Sequence, residues 1–365
     1  MKKNISILLI ATLLSVASAF AQGGETGTLT WSIENDTLTI SGEGVMPDYG
    51  KEYGAIPWYF YRNAIAAVVV ENGVTHIGEW AFLECVRLTS VDISNSVTSI
   101  GSNAFRYCDA LASITLPDSV ATIASDTFHN CSSLTSITIP NSVISIENHA
   151  FYCCHSLASV VFSENMTRIG EGAFQFCYNL ASVAFPDSML SIGKFAFAYC
   201  WKLASITLPS SITEIEDYAF VKCEALTSIT NFNLTPIDIT SDVFLGVDKA
   251  KCVLQVPKIA IPDYENAAVW KDFNIIIGIE DVGIAETQGI ASLKIYPNPT
   301  RGEIQVENGE LKIENVEIYD VFGRKQKTIF NFQFSTFNLT DLPAGIYFIH
   351  IQTDEGAVVR KVVKQ

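Results

Sequence analysis

The residues best placed to do chemistry are Cys153, Cys154 and His155, a consecutive run with His129 and His149 nearby in the sequence. Two kinds of chemistry use such side chains. A thiolate with a histidine base attacks electrophilic carbon or sulfur, and it needs a third group to orient the base. A metal site needs three or four ligands converging on one point. The spacing meets neither requirement: the histidines stand at different phases of the pattern described next, and no carboxylate pairs with them in the sequence. Cys154 belongs to an apolar ladder that points inward, opposite to what a surface nucleophile requires. There is no H-E-x-x-H, no G-x-S-x-G and no phosphate-binding glycine loop. The chain's 39 acids supply carboxylates in number, but most belong to a solvated face. The expectation is a chain with no catalytic residue, no metal site and no cofactor.

What positions Cys154 is a repeat. Phe82, Phe105, Phe128, Phe151, Phe174, Phe197 and Phe220 are each 23 residues apart. Cys85, Cys108, Cys131, Cys154, Cys177, Cys200 and Cys223 follow on one phase, and Leu88, Leu111, Leu134, Leu157, Leu180, Leu203 and Leu226 on another. A unit this short cannot bury its own face, so neighbours stack into a solenoid. Phe, Cys and Leu at i, i+3 and i+6 predict one face of a helical turn. Leu134, Ile137 and Ile139 predict a short strand, with adjacent strands roughly 4.8 Å apart. Pro140-Asn141-Ser142 predicts a turn in which Pro fixes φ and Asn or Ser bonds the local backbone. Val143 and Ile146 then return apolar side chains inward. The ladder cysteines are expected to be free, buried thiols acting as small hydrophobes. Cys153 and Cys252 stand off the ladder.

This L-x-x-I-x-I plus A-F-x-x-C pattern resembles the BspA-type leucine-rich repeat family over about residues 76–230, in seven units. The segment before it is similar to that family's N-terminal cap: Leu38-Thr39-Ile40-Ser41-Gly42, Met46-Pro47-Asp48-Tyr49, Pro57-Trp58 and Val69–Val74. Such a cap covers the first coil's open core and prevents edge pairing. Val256-Pro257, Tyr264 and Trp270-Lys271-Asp272-Phe273 resemble the closing segment. Residues 231–250 break the period but keep Phe244, as a degenerate last coil does. The resemblance implies adhesion to host matrix proteins, other bacteria or host cells.

The last segment is a different object. Residues 76–230 carry 14 acids against 6 bases, whereas 290–365 carry 9 of each. Short alternating runs separated by turn residues predict a small Ig-like β-sandwich there. Four motifs stand in order: Tyr296-Pro297-Asn298-Pro299, then Asp320 and Gly323 in a strand and Gly turn, then Gly345 and Tyr347, then Gly356 with Lys361 in the closing run. The set resembles the type A sorting domain of the type IX secretion system. That implies handling by the type IX machinery, passage through the outer membrane of a Bacteroidetes-like bacterium, and a body that is either released or tethered to the surface.

Two surfaces are candidate ligand sites. On the strand face the outward positions are Ser113, Thr115, Ser136, Thr138, Ser159, Ser182, Ser205 and Thr207, a flat row of hydroxyls on what is the usual docking surface of a horseshoe repeat. Ser and Thr also simply suit exposed strands. The second surface is an aromatic edge: Phe176, Tyr178, Phe195, Tyr199, Trp201 and Tyr218 occupy equivalent positions in successive units and should cluster, offering contacts to sugar or protein. A solvent-shielding role over the turns would use the same rings.

Composition and charge remove other classes. Hydrophobic residues are 48% and charged ones 17%, as in a folded chain. The net charge of −16 leaves no basic stripe for nucleic acid and disfavours anionic membrane surfaces. Lys2 and Lys3, the apolar Ile5–Val16 and Ala19-Phe20-Ala21 read as a secretory signal cleaved between Ala21 and Gln22, and no later stretch is long and apolar enough to cross a bilayer. The expected order is signal peptide (1–21), N-terminal cap (22–75), repeats (76–230), degenerate repeat and C-terminal cap (231–278), linker (279–290) and sorting domain (291–365). The expected fold is a β-rich (α+β) leucine-rich-repeat solenoid followed by the sandwich. The expected function is a secreted or cell-surface binding protein, an adhesin with an extracellular protein or glycan ligand; the competing reading is a carbohydrate-capturing or structural envelope component.

Overall fold

A strand that recurs every 23 residues can pair only with its own equivalent one coil away. In the computed structural model Ser136 lies opposite Ser159 and Ile137 opposite Val160 in a parallel pair. The structure describes residues 22–50, 54–279, 294–296, 300, 303–307, 313–320, 325–329, 336–343, 345–353 and 356–364. The signal peptide with its Ala21 cleavage position, most of the linker, and Pro297, Asn298, Pro299 and Gly323 lie outside the described residues. Two compact units divide the chain: residues up to Leu180 with Ala196–Ala198, and Ala181–Phe195 with residues from Tyr199 onward.

The first unit begins with an antiparallel meander, Gln22–Thr26, Leu29–Glu34 and Thr37–Ser41. Asn35 and Asp36 close its second hairpin at φ 49° and 61°, a left-handed pair that Asn and Asp tolerate and that matches strand twist. Thr37–Ser41 then pairs in parallel with Ala67–Val70, and that strand with Ser90–Ile93, passing the sheet from cap to repeats. Trp58 stands where later coils have Phe. It is fully buried, lies over Phe82 at 6.0 Å and donates its indole N–H to the Ala81 carbonyl at 2.7 Å. From Phe82 the rings of Phe105, Phe128, Phe151, Phe174 and Phe197 stack at 5.1–5.5 Å between centroids. Each such ring brings about 1.5–3 kcal/mol of apolar burial.

The expected helical turn is not one. Among the described residues 76–230 hold no helix; Phe and Cys sit in a run of turns. Trp80 and Glu84 take left-handed φ of 63° and 58°, and Asn103, Tyr107, Asp126, Asn130, His149 and Cys153 repeat the two positions. The reason lies in the backbone donors. Trp80, Phe82 and Glu84 donate to the carbonyls of Ser102, Ala104 and Arg106 in the next coil, while Ala81, Leu83 and Cys85 donate to residues three back. An α-helix would direct every N–H into itself and leave coil and coil unbonded. Left-handed residues cost about 1–2 kcal/mol each, and the inter-coil bonds offset that.

The turn serine also bonds differently from expectation. Ser142 Oγ donates to the Val120 carbonyl (2.6 Å), as Ser96 does to Val74 and Ser119 to Val97, so it clips one coil to the preceding one. The local turn is already closed by the Val143 N–H on the Pro140 carbonyl.

In the second unit Ser182–Ala184, Ser205–Leu208, Ser228–Asn231, Val253–Pro257 and Ile275–Ile279 form a parallel sheet. Phe244 stacks on Phe220 at 5.6 Å, although the Phe220 N–H now reaches Val243. That offset is one residue longer than in the regular coils and marks the insertion in the degenerate repeat. Trp270 then meets Phe244 edge-on at 5.7 Å and donates its indole N–H to the Ile237 carbonyl. A tryptophan thus ends the ring stack here, as another begins it in the first unit. The C-terminal region holds two antiparallel sheets, of three and four strands, around Ile304, Val316, Ile318, Leu339, Tyr347, Ile349, Ile351 and Val362. Asp320 ends one strand, Gly345 and Tyr347 begin another, and Gly356 and Lys361 lie in the last.

Candidate functional site

The strand face separates structural hydroxyls from spare ones. Thr89 and Thr135, just before the strands, donate back to Ala66 and Ala112. Ser113, Thr115, Ser136, Thr138 and Ser159 are exposed, and among the described residues none has a side-chain partner. Ser136, Thr138 and Ser159 sit on paired strands; Ser113 and Thr115 are in an extended segment without strand pairing. In the second unit Ser182 is exposed, but Ser205 and Thr207 are half-buried. The row closes beyond them: Thr230 is 8% exposed and donates to Gln255 Oε1 at 2.9 Å. The hydroxyl face is therefore most open in the first unit.

The six rings named from the sequence fall in both units. In the first, Phe176 and Tyr178 meet at 6.1 Å; in the second, Phe195 and Tyr218 stack at 4.9 Å, with Lys194 Nζ 5.4 Å and 5.9 Å from the two centroids. Tyr199 is half-buried and Trp201 is 49% exposed.

The first unit extends its edge with rings that the sequence analysis did not name. Tyr107, His129, Tyr152 and Phe176 follow one another at 5.6, 4.7 and 5.3 Å, and His155 lies flat on Tyr178 at 4.7 Å and 2°. Tyr107 and His155 stand one before and one after the repeat Cys, the phases of Phe176 and Tyr178, whereas His129 and Tyr152 stand two before it, a phase the sequence reading did not use. The signal was the rule that any aromatic within two residues of that Cys projects to the same edge. The geometry limits what the edge can do. Sugars are held on ring faces, and in the pairs His155–Tyr178 and Phe195–Tyr218 one ring face of each member is spent on its neighbour.

His129 does have a carboxylate, contrary to the sequence reading. Its Nδ1 is 2.7 Å from Asp126 Oδ1, and Arg106 donates to the same oxygen at 2.9 Å. Burial pushes the Asp126 carboxyl up, but the hydrogen bond from His129 and the charges of Arg106 and His129 outweigh it and hold it below its ordinary range. A group depressed on folding adds stability above its unfolded pKa and loses it as pH falls through the lowered value. Asp126→Asn is expected to cost roughly 1–3 kcal/mol near neutrality and to flatten the acid limb of a stability-against-pH curve; an unchanged acid limb would contradict this. Arg106 on one coil and His129 on the next thus share the Asp126 carboxylate, which fastens the two coils.

The nine cysteines are thiols and form no disulfide. Cys108, Cys131, Cys154 and Cys177 donate S–H to the carbonyls of Phe82, Phe105, Phe128 and Phe151 at 3.1–3.3 Å. A small residue that is apolar yet a donor suits that position. Burial drives the thiols up, to about 12 for Cys85 and Cys223, and raises half-buried Cys153 as well. These three are not thiolates near neutral pH. Native chain treated with iodoacetamide should be alkylated at Cys153 alone and only slowly, whereas denatured chain should take label at all nine cysteines; several labels on the native chain would contradict the buried ladder. Among the described residues no group of three or more His, Cys, Asp or Glu is placed to hold a metal, and no helix is long and apolar enough to cross a membrane.

Comparison with known proteins adds two matches. A family model described as a BspA type leucine rich repeat region, in six copies, covers residues 57–179 and 144–259, more than half of the chain. A model described as a secretion system C-terminal sorting domain covers 294–365. Neither describes an enzyme. No curated protein matches. Among solved structures, the chain is similar to a leucine-rich repeat protein from Eubacterium ventriosum, with 22% identity over 65% of this chain and 78% of that one and a TM-score of 0.41. It is similar to the T. pallidum leucine rich repeat protein, with 28% identity, 58% and 79% covered and a TM-score of 0.35. It is also similar to the pneumococcal vaccine antigen PcpA, with 14% identity, 71% and 99% covered and a TM-score of 0.36.

Proposed function

The chain belongs to the BspA-type leucine-rich-repeat family, and on that premise we propose that it is an adhesin whose strand face docks a protein of a host matrix or of another cell's surface. Its sorting domain assigns it to export by the type IX secretion system, to the cell surface or the medium. A secreted repeat protein meets its partners outside the cell, so the partner is extracellular.

The observation that carries the reading is the row of unpartnered, exposed hydroxyls at Ser113, Thr115, Ser136, Thr138 and Ser159. Elsewhere in the coil hydroxyls are consumed in clips such as that of Ser142 to Val120. On this face they are left to water, flat and small, which suits a protein surface laid across several coils. A carbohydrate-capturing edge is the second reading, favoured by the exposure of Trp201 and disfavoured by ring faces spent on neighbouring rings.

The test is a screen of the secreted chain against immobilised matrix proteins and a glycan array. Docking on the strand face predicts retention of a protein, reduced about tenfold or more when Ser136 and Thr138 are both replaced by Trp, since filling a contact surface costs at least ~1.4 kcal/mol. Trp201→Ala should leave that binding within twofold, roughly 0.4 kcal/mol. Glycan binding lost with Trp201→Ala would move the site to the aromatic edge.

A further inference from the structure

The parallel sheet of the second unit ends on the strand Ile275–Ile279. Among the described residues its one strand partner is Val253–Pro257, and no described strand pairs with the N–H and C=O groups of its other edge. Natural proteins blunt such edges with Lys, Pro, bulges or a covering element. Among the described residues this edge has none of these on its outward face. The sequence is Ile-Ile-Ile-Gly-Ile, and Ile275 and Ile277 are 39% and 43% exposed, where the preceding coils carry hydroxyls such as Ser205 and Thr207. The opposite face is closed: a Cβ at Gly278 would meet Lys258 at 3.1 Å and Ile261 at 3.2 Å.

Charge decides what this edge can meet. Along 76–230 acids outnumber bases 14 to 6, so two copies repel over most of their length. Over residues 245–279 the balance is even, with Asp248, Asp263, Glu265 and Asp272 against Lys249, Lys251, Lys258 and Lys271, and Lys249–Asp272 and Lys251–Asp248 are paired. An antiparallel self-pairing centred on Ile277 would set Ile275 against Ile279 and Ile277 against its own copy. Every cross-strand pair on that face is then apolar, and no like charges are opposed.

We propose that Ile275–Ile279 pairs edge to edge with the same strand of a second copy of this chain, forming a two-fold symmetric dimer. This interface is isologous, and closure by a two-fold axis prevents runaway growth. It goes beyond the adhesin reading and would strengthen it, because two strand faces in one assembly bind a multivalent surface with avidity.

Sedimentation velocity on the full secreted chain, from micromolar to hundreds of micromolar, is the test. The expected result is a concentration-dependent dimer that Ile277→Lys converts to monomer while leaving the circular dichroism unchanged. Wild type that stays monomeric throughout overturns the proposal, as does a folded Ile277→Lys chain that still dimerises. Should that variant misfold, hydrogen exchange on wild type decides. Amides of 275–279 must gain protection as concentration rises, and protection independent of concentration would mean the edge is covered within one copy.

Discussion

A chain lacking residues 294–365 is expected to accumulate inside the outer membrane, with none at the cell surface or in the medium. Those residues match the sorting domain, and the expected loss is all-or-none because the domain is an address read by the export machinery. The body should survive the truncation: its ring stack is closed at Trp270 and Phe273, both buried, before that region begins. Fractionation followed by immunoblotting separates the outcomes. Folded body in the periplasm supports the assignment, and surface display of the truncated chain contradicts it.

The second large effect is on stability. Phe151→Ala should cost about 3–5 kcal/mol. The ring is fully buried between Phe128 and Phe174, at 5.3 Å and 5.1 Å with interplanar angles of 12° and 6°. Removing it opens a cavity against both neighbours. In a repeat protein each coil is held by adjacent coils, so one weak interface can uncouple the stack. Against a typical total of about 5–15 kcal/mol that is a large share. Phe60→Ala is the control: Phe60 in the cap is 82% exposed and should change stability by less than about 0.5 kcal/mol. Urea unfolding of the secreted chain measures both. A Phe151→Ala loss of under about 1 kcal/mol would contradict the stack's role, given what buried Phe truncations ordinarily cost.

The repeat was legible because burial imposes a period. Phe, Cys and Leu are confined to the interior, so their 23-residue recurrence states both the coil length and the parallel register of Ser136 with Ser159. Trp58 and Trp270, bulky residues outside the period, stand against Phe82 and Phe244 of the regular rings. What the sequence hid was backbone conformation. Residues as unlike as Trp80, Asp126, His149, Phe195 and Tyr218 share one left-handed position, because the demand there is on the direction of an N–H and not on the side chain. The helical expectation failed for that reason. The Arg106–Asp126–His129 cluster was hidden similarly. Arg106 and His129 share one phase on adjacent coils and Asp126 stands at another, and only the turn geometry brings both within 3 Å of one carboxylate oxygen. On the strand face the row was readable, but which hydroxyls are spare and which are covered, as at Ser205 and Thr207, depends on packing that no periodicity encodes.

The most direct measurement is adhesion of cells displaying the full chain to a matrix-protein-coated surface, compared with cells displaying Ser136→Trp/Thr138→Trp at equal surface density. The expected result is adhesion by the first and its loss in the second, with Trp201→Ala cells adhering normally. Equal adhesion by the double variant, at matched display and intact fold, would contradict docking on the strand face.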